Sequence, residues 1–470
     1  MNNRHNRHNR NTLHIHIPAP PTSTPTRAIC HAAASLGYLL DDPLPRQPQS
    51  CSIPITSASI TLITGPSGCG KSTLLKQLQA AAKDHSIPAL TNTRTPSISS
   101  TAIDALRLPT DLALNRLAEV GLADHSTFTR RIHQLSEGQL HRFQLALLLT
   151  RADKLARSNK TTSPILLILD EFATKLDTIT AQSLAHSFAR AIRTRPHITA
   201  AIATPHHTLA AELNPTSTIR LTLQGEPNPK PIPTPQPIAH RIATCIGTTS
   251  DYQPLARYHY RPGTPAAVVR TRLAFDTHTG EVVAALLTTM PALNSSWRKL
   301  AWQNDYASNN RAHNIKKLND EVRRIARVVV DPRYRALGIA KRLVKEELQN
   351  PLTIRTEAIA AMGPVSPFFE RAGMTAYPVP RSSKNARLLD FLQHAGIEPW
   401  RIPDAHSVWH RLNQPNIKHH AIHELNLWRQ GSAAPKPARH TDDPQTILRW
   451  ACRTIAAHPI AYAAQHPSAN

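Results

Sequence analysis

The sequence predicts an α/β chain built from more than one unit. Three observations lead there: a strand, glycine loop and helix in the N-terminal half, a second junction of the same physical kind in the C-terminal half, and a proline-rich stretch between them. At 470 residues the chain exceeds a single hydrophobic core, and a hydrophobic fraction of 40% suits globular α/β structure.

The first junction runs from the strand-like Ile60-Thr61-Leu62-Ile63 to the helix start Leu74-Leu75-Lys76-Gln77-Leu78. Between them Gly65-Pro66-Ser67-Gly68-Cys69-Gly70-Lys71-Ser72-Thr73 fits G-x-x-x-x-G-K-[ST], a P-loop in its proper strand-and-helix setting. The glycines let backbone N–H groups and the positive end of the helix face phosphates. Lys71 is expected to reach the β- and γ-phosphates of a nucleoside triphosphate, and the Ser72 hydroxyl to ligate Mg²⁺.

Ile165 to Leu169 is a continuous apolar run, the pattern of a strand buried on both faces, and it ends in Asp170-Glu171 at the expected ligand crevice. Asp170 is assigned to Mg²⁺ and Glu171 to the attacking water, as general base. Leu135-Ser136-Glu137-Gly138-Gln139 precedes a helix over Leu140 to Leu149, and His206 follows the strand-like Ile198 to Ala203, with His207 competing for its place. Together these segments resemble ATP-binding-cassette (ABC) ATPases. The resemblance implies that Ser136, Gly138 and Gln139 close over the γ-phosphate held by another protomer, so that a homodimer sandwiches two ATP molecules. It also makes Thr174-Lys175-Leu176-Asp177 similar to the D-loop and His206 the switch histidine. Leu135 follows Lys71 by only about 64 positions, and no glutamine lies between Ala80 and Arg131 to act as a Q-loop residue. Tyr38 is the sole, poor candidate for an A-loop aromatic. The chain therefore looks more like a soluble ABC ATPase than the ATP-binding subunit of a transporter.

Lys and Arg number 55 against 31 Asp and Glu, a formal charge of +24. Such an excess attracts polyanions, nucleic acid among them, although dispersed charge of this kind equally reflects a general compositional bias. Cys30, Cys51, Cys69, Cys245 and Cys452 are far apart and show no C-x-x-C spacing, which suits free thiols and a cytoplasmic location. No apolar run approaches the roughly 18 residues of a membrane span, and no signal-peptide core stands at the N-terminus.

Five regions are expected. Residues 1–26 read as a disordered basic tail whose histidines, among them His5, His8, His14 and His16, lack carboxylate or thiol partners. Residues 27–223 form the ATPase domain, and 224–240 a semi-rigid linker with proline at alternate positions. Residues 241–380 form a second α+β domain and 381–470 a helical C-terminal appendage, with Trp400, Trp409, Trp428 and Trp450 anchoring helical packing. His419, His420 and His423 include an i, i+4 pair without the H-E-x-x-H pattern of a metal site.

In the second domain the β-branched Val328-Val329-Val330 stops at Asp331-Pro332, a loop carries Arg335-Ala336-Leu337-Gly338-Ile339-Ala340, and a helix begins. Bare N–H groups at a helix start can again bind a diphosphate, but no G-K-[ST] lysine accompanies them. Strands are expected around Glu281 to Leu287 and Leu352 to Ala358, followed by Pro367-Phe368-Phe369-Glu370-Arg371-Ala372-Gly373-Met374. These segments resemble GNAT-type N-acetyltransferases, whose [RQ]-x-x-G-x-[GA] loop holds the pyrophosphate of acetyl-CoA. The resemblance assigns acetyl-CoA to Val328, Val330, Arg335, Ala336, Leu337, Gly338, Ile339 and Ala340. It also places part of the acceptor site near Tyr258-His259-Tyr260-Arg261. Many members protonate the departing thiolate with a tyrosine where this chain has Phe368 and Phe369, so Tyr258, Tyr260, Glu321 and Glu357 stay open as proton-transfer groups. The expected activity is MgATP hydrolysis coupled to acetyl transfer to an unknown acceptor, nucleic acid being one choice. The alternatives are an ATP-switched nucleic-acid clamp with a non-catalytic GNAT-like domain, and a transporter subunit.

Overall fold

A computed structural model of the protein describes residues 12–17, 25–37, 39–40, 49–91, 99–158, 164–222, 236–259, 263–431 and 434–467. Tyr38, Tyr260, Arg261 and residues 224–235 of the expected proline linker lie outside the described residues.

The N-terminal unit is layered around a parallel sheet of β3 (Ser59–Thr64), β4 (Ala89–Thr91), β5 (Ile165–Leu169), β6 (Ile198–Thr204) and β7 (Ser217–Arg220), in the order β4-β5-β6-β3-β7. Alternate side chains of β5 serve two cores, as a strand covered on both faces must. Ile165, Leu167 and Leu169 join the helices Glu137–Ser158 and Thr178–Arg193, while Leu166 and Ile168 join the P-loop helix Lys71–Asp84.

A short antiparallel pair, β1 (Thr12–Ile17) with β2 (Gln49–Pro54), lies against the P-loop helix. Of the disordered tail expected over 1–26, Thr12–Ile17 are instead a strand. Thr-Leu-His-Ile-His-Ile alternates with the period of a strand: Leu13 and Ile15 are buried in the helix-facing core. His14 and His16 point outward, to the hydroxyls of Ser52 (2.9 Å) and Ser50 (3.2 Å).

The second unit is a seven-stranded mixed sheet: β8 (Ile242–Gly247), β9 (Val268–Asp276), β10 (Val282–Thr289), β11 (Val322–Val330), β12 (Arg355–Ala360), β13 (Thr375–Pro378) and β14 (Ile460–Gln465). Their order is β13-β14-β12-β11-β10-β9-β8, and only β11 and β12 run parallel. The helix Ile339–Gln349 covers one face through Ile339, Leu343 and Val344. The helix Thr249–Ala256 covers the other through Tyr252 and Leu255.

The expected helical appendage over 381–470 also needs correction. Its helices share one core that includes Leu388, Val408, Leu425, Trp428 and Leu448, but the chain then returns as β14 between β12 and β13. The helical cluster is thus an insertion between two neighbouring strands. Ile-Ala-Tyr-Ala-Ala-Gln escapes a reading by propensity because alanine is a poor strand former, and here small side chains and Tyr462 fill both faces of the sheet. Trp428 is buried and donates from Nε1 to Asn385 Oδ1 at 2.8 Å, whereas Trp400 is 69% exposed under the Arg401 guanidinium and anchors no core.

Candidate functional site

The P-loop leaves the buried end of β3 and enters the helix Lys71–Asp84 at Gly70. Gly65 cannot be replaced without movement: a Cβ there would run into the Leu221 carbonyl and sit 2.8 Å from Cys69 Sγ. Pro66, Ser67 and Gly68 at the loop crest are exposed, as are Ser72 and Thr73 at the helix start. Lys71 Nζ donates to the carbonyls of Gly65 and Pro66, both at 2.8 Å, so it lies folded over the loop that would receive phosphate.

Two strands from β3, across β6, β5 delivers Asp170 and Glu171 to the same sheet end. Glu171 is exposed with φ 50°, a left-handed conformation that is strained for a side chain of this type. The Glu171 N–H donates to Asp170 Oδ1 at 3.0 Å, and its carbonyl accepts from the Thr174 hydroxyl at 3.0 Å. Those bonds hold the backbone while the carboxylate stays in solvent. His206 and His207 are both exposed beyond β6; the His206 N–H donates to Thr204 Oγ1 at 3.2 Å.

Locally, the signature is a capping box. The Gln139 N–H donates to the Ser136 hydroxyl (3.3 Å) and Gln139 Oε1 accepts from the Ser136 N–H (3.1 Å), closing the start of the helix Glu137–Ser158. Ser136 is exposed and Gly138 half-buried, which leaves the helix start open to an anion.

One residue here gave no sequence signal. His141, a turn into that helix, accepts the Ala173 N–H on Nε2 at 3.2 Å and ties the signature helix to the segment that follows Glu171. Burial, reinforced by the charges of Lys175 and Arg142, pushes its pKa down from 6.5 to about 4. The folded protein therefore resists a proton that the unfolded chain accepts below 6.5, so this contribution is whole above that pH and is lost as pH falls towards 4. We expect His141→Gln, which keeps an acceptor but does not titrate, to gain on the parent by on the order of 2 kcal/mol between pH 7 and pH 4. Urea unfolding at both pH values measures it; parallel pH profiles for the two proteins would refute the assignment.

In the second unit β11 ends at Val330, and Asp331 Oδ1 accepts the Arg333 N–H at 2.8 Å. Tyr334 then anchors the loop: its hydroxyl donates to the buried Asp276 carboxylate at 3.1 Å, which Arg241 also contacts at 2.7 Å. Ala336 and Gly338 both have positive φ, 66° and 82°, and Gly338 caps the helix Ile339–Gln349. Nothing lies within 4 Å of where a Gly338 Cβ would project, so this helix start is uncovered. Arg335, Ala336, Leu337 and Ala340 are half-buried and Ile339 is buried. Val328 and Val330 pair with Leu286 and Ala284 of β10.

On its other side β11 pairs with β12 only from Val322 to Ile325, opposite Arg355 to Ala358. Beyond Ile325 the ladder to β12 stops while β11 continues to Val330, so the two strands part towards the uncovered loop.

The proposed proton-transfer groups are already engaged. Glu357 is buried and held by Arg298 through two 2.8 Å bonds, Glu321 accepts the Tyr306 hydroxyl at 2.9 Å, and the Tyr258 hydroxyl accepts from Arg257 at 2.8 Å. Phe368 and Phe369 lie with ring centroids 4.4 Å apart. Tyr462 of β14, unremarked in the sequence, pairs with Ala358 and stacks on Phe369 at 5.0 Å; its hydroxyl donates to Glu370 Oε1 at 3.4 Å. Burial pushes its phenol up to about 12.

Parallel sheet, P-loop and acidic strand end define the N-terminal unit as a P-loop α/β fold. A family model described as an AAA domain matches residues 55–203, from just before β3 to the end of β6. No curated protein matches. Similar solved structures include cbiO1 from Clostridium perfringens, part of the ABC transporter complex cbiONQ (20% identity over 37% of this chain and 78% of that one, TM-score 0.28). A dimeric bacterial ABC transporter cassette is 15% identical over 39% and 90% of the two chains, TM-score 0.29. A dimeric post-hydrolysis cassette bound to ADP and Pi is 16% identical over 40% and 92%, TM-score 0.29. Among the described residues no helix is long and apolar enough to cross a membrane.

Proposed function

We propose that the protein is a cytoplasmic ABC-type ATPase that binds and hydrolyses MgATP, joined to a GNAT-like unit that takes acetyl-CoA and passes its acetyl group to an acceptor. In the first site Gly65 to Thr73 hold the phosphates, Ser72 and Asp170 hold Mg²⁺, Glu171 directs the water and His206 senses the γ-phosphate. Ser136, Gly138 and Gln139 serve the nucleotide of a second protomer, giving a homodimer.

One observation carries the second half of the reading: β11 runs on to Val330 after its ladder to β12 stops at Ile325, and the loop that follows enters an uncovered helix start at Gly338. Put physically, a free strand edge beside bare N–H groups suits an extended amide chain ending in a diphosphate, the chemistry of acetyl-CoA. Val328 and Val330 would line the chain, and Arg335 with the loop through Ala340 would hold the diphosphate. An acceptor amine would attack the thioester carbonyl, a C–N bond forming as the C–S bond breaks, and the proton lost by the amine would balance the one taken up by the departing thiolate. The charge of +24 makes nucleic acid one acceptor to try.

A second reading, an ATP-switched clamp with a non-catalytic GNAT-like unit, is favoured by the absence of a proton donor at Phe368 and Phe369. Thermal unfolding with each ligand separates the two. A ligand at a hundredfold excess over its Kd stabilises by about 2.7 kcal/mol. Acetyl-CoA should raise the Tm of the parent but not of Arg335→Ala; MgATP should raise both but not Lys71→Ala. A shift with MgATP and none with acetyl-CoA in the parent would leave the clamp.

A further inference from the structure

The second unit docks on the part of the first that carries the signature. Arg142, one turn into the signature helix, donates from Nε to the Gly138 carbonyl (3.3 Å) and from Nη1 to the Gly121 carbonyl (3.2 Å). A single guanidinium therefore ties the signature glycine to the loop that leads to Asp124. The Asp124 carboxylate lies 3.9 Å from Arg335 Nη1, and Arg335 Nε donates to the Val330 carbonyl at 3.4 Å. Two hydrogen bonds, the stretch from Gly121 to Asp124 and an ion pair thus run in series from Gly138 to the candidate diphosphate loop.

A parallel connection passes through the D-loop-like segment. Leu176 Cδ2 lies 2.6 Å from where a Gly138 Cβ would stand, so this side chain packs directly on the bare Gly138 backbone. Asp177 Oδ1 accepts the Thr180 N–H at 3.0 Å and starts the helix Thr178–Arg193, whose second residue, Ile179, packs into the core of the seven-stranded unit. The same helix lies against the turn Pro332–Tyr334 that opens the Arg335 loop.

Charge alternates across this junction. Arg142 and Arg335 are both partly desolvated and repel each other, with Asp177 acting on the first and Asp124 on the second. An anion arriving at Arg335 competes with Asp124 for one guanidinium. Conversely, a nucleotide drawn against Ser136 and Gly138 pulls on the carbonyl that Arg142 holds.

We propose that Arg142 is a positioning residue which, through Asp124, makes the Arg335 loop respond to nucleotide at the signature, so that MgATP alters the loop's affinity for a diphosphate-bearing thioester carrier. The inference rests on the two-site reading above, and by linkage the effect must be reciprocal: the carrier alters MgATP affinity by the same factor.

Amide hydrogen exchange of the full chain tests it without requiring the carrier. In Glu171→Gln, intended to hold MgATP without turnover, exchange over residues 331–342 should change at least about threefold on adding MgATP. Acetyl-CoA titrations in the same protein should give Kd values that differ about five- to tenfold with and without MgATP. Both effects should vanish in Arg142→Ala and stay lost in Arg142→Lys, because an ammonium cannot span two carbonyls as a guanidinium fork does. Asp124→Asn, at a partly exposed position, is the second variant should Arg142→Ala not fold, and it should uncouple equally.

Unchanged exchange in a protein that binds MgATP would overturn the inference, as would a full response in Asp124→Asn. A response in exchange without any acetyl-CoA binding would support the coupling and bring down the acetyl-carrier reading alone. Failure to bind MgATP would bring down the nucleotide reading and this inference with it.

Discussion

Glu171→Gln is expected to lower the ATPase kcat by a factor on the order of 10²–10³ while MgATP still binds. General-base catalysis by a positioned carboxylate contributes typically about 10²–10⁴. Glutamine keeps the size and the hydrogen-bonding oxygen of Glu171 but cannot accept the proton of the attacking water. Its backbone would be unaffected, since the bonds that fix it run through the Glu171 N–H and carbonyl rather than the carboxylate. Single-turnover hydrolysis beside an equilibrium MgATP titration measures the split. Equal kcat in variant and parent would remove Glu171 from the chemistry, and lost binding would instead point to a structural role at this strained turn.

The second large effect concerns stability. Arg298→Ala should destabilise the seven-stranded unit by about 3–5 kcal/mol, because it strands the wholly buried Glu357 carboxylate in the middle of the sheet. Glu357 can escape only by taking up a proton, which still leaves its oxygens without the donors that Arg298 supplies at 2.8 Å. Removing both partners, as in Arg298→Leu with Glu357→Leu, should recover most of the loss, since a buried pair costs desolvation on both sides. Trp297 and Trp302 stand beside Arg298 in a buried cluster and report unfolding of this unit by fluorescence. A loss below about 1 kcal/mol for Arg298→Ala would mean that water reaches Glu357.

What could be read from residues alone follows how local each cause is. The P-loop, the run ending in Asp170-Glu171 and the Ser136 to Gln139 box each depend on neighbours within a few positions, so spacing reveals them. The parallel sheet was legible for the same reason: an apolar run such as Ile165 to Leu169 needs cover on both faces. Features set by distant partners were not legible. His141 meets Ala173 across 32 positions, Asp124 meets Arg335 across the boundary between units, and Tyr462 reaches Phe369 only because β14 returns from a helical excursion. Composition also misled at the N-terminus. A region rich in Asn, Arg, His and Pro hid six residues of strand whose two inward side chains are Leu13 and Ile15.

The position of β14 has a consequence for synthesis. β12 and β13 emerge from the ribosome well before the strand that belongs between them, with residues 379–459 still to be made. At about 5–20 residues per second that interval lasts roughly 4–16 s, during which the nascent β12 presents an open edge to any neighbouring chain. A chain of this design must keep that slot shielded until Ile460–Gln465 arrive, and a message truncated before Ile460 would leave β12 and β13 without the strand between them.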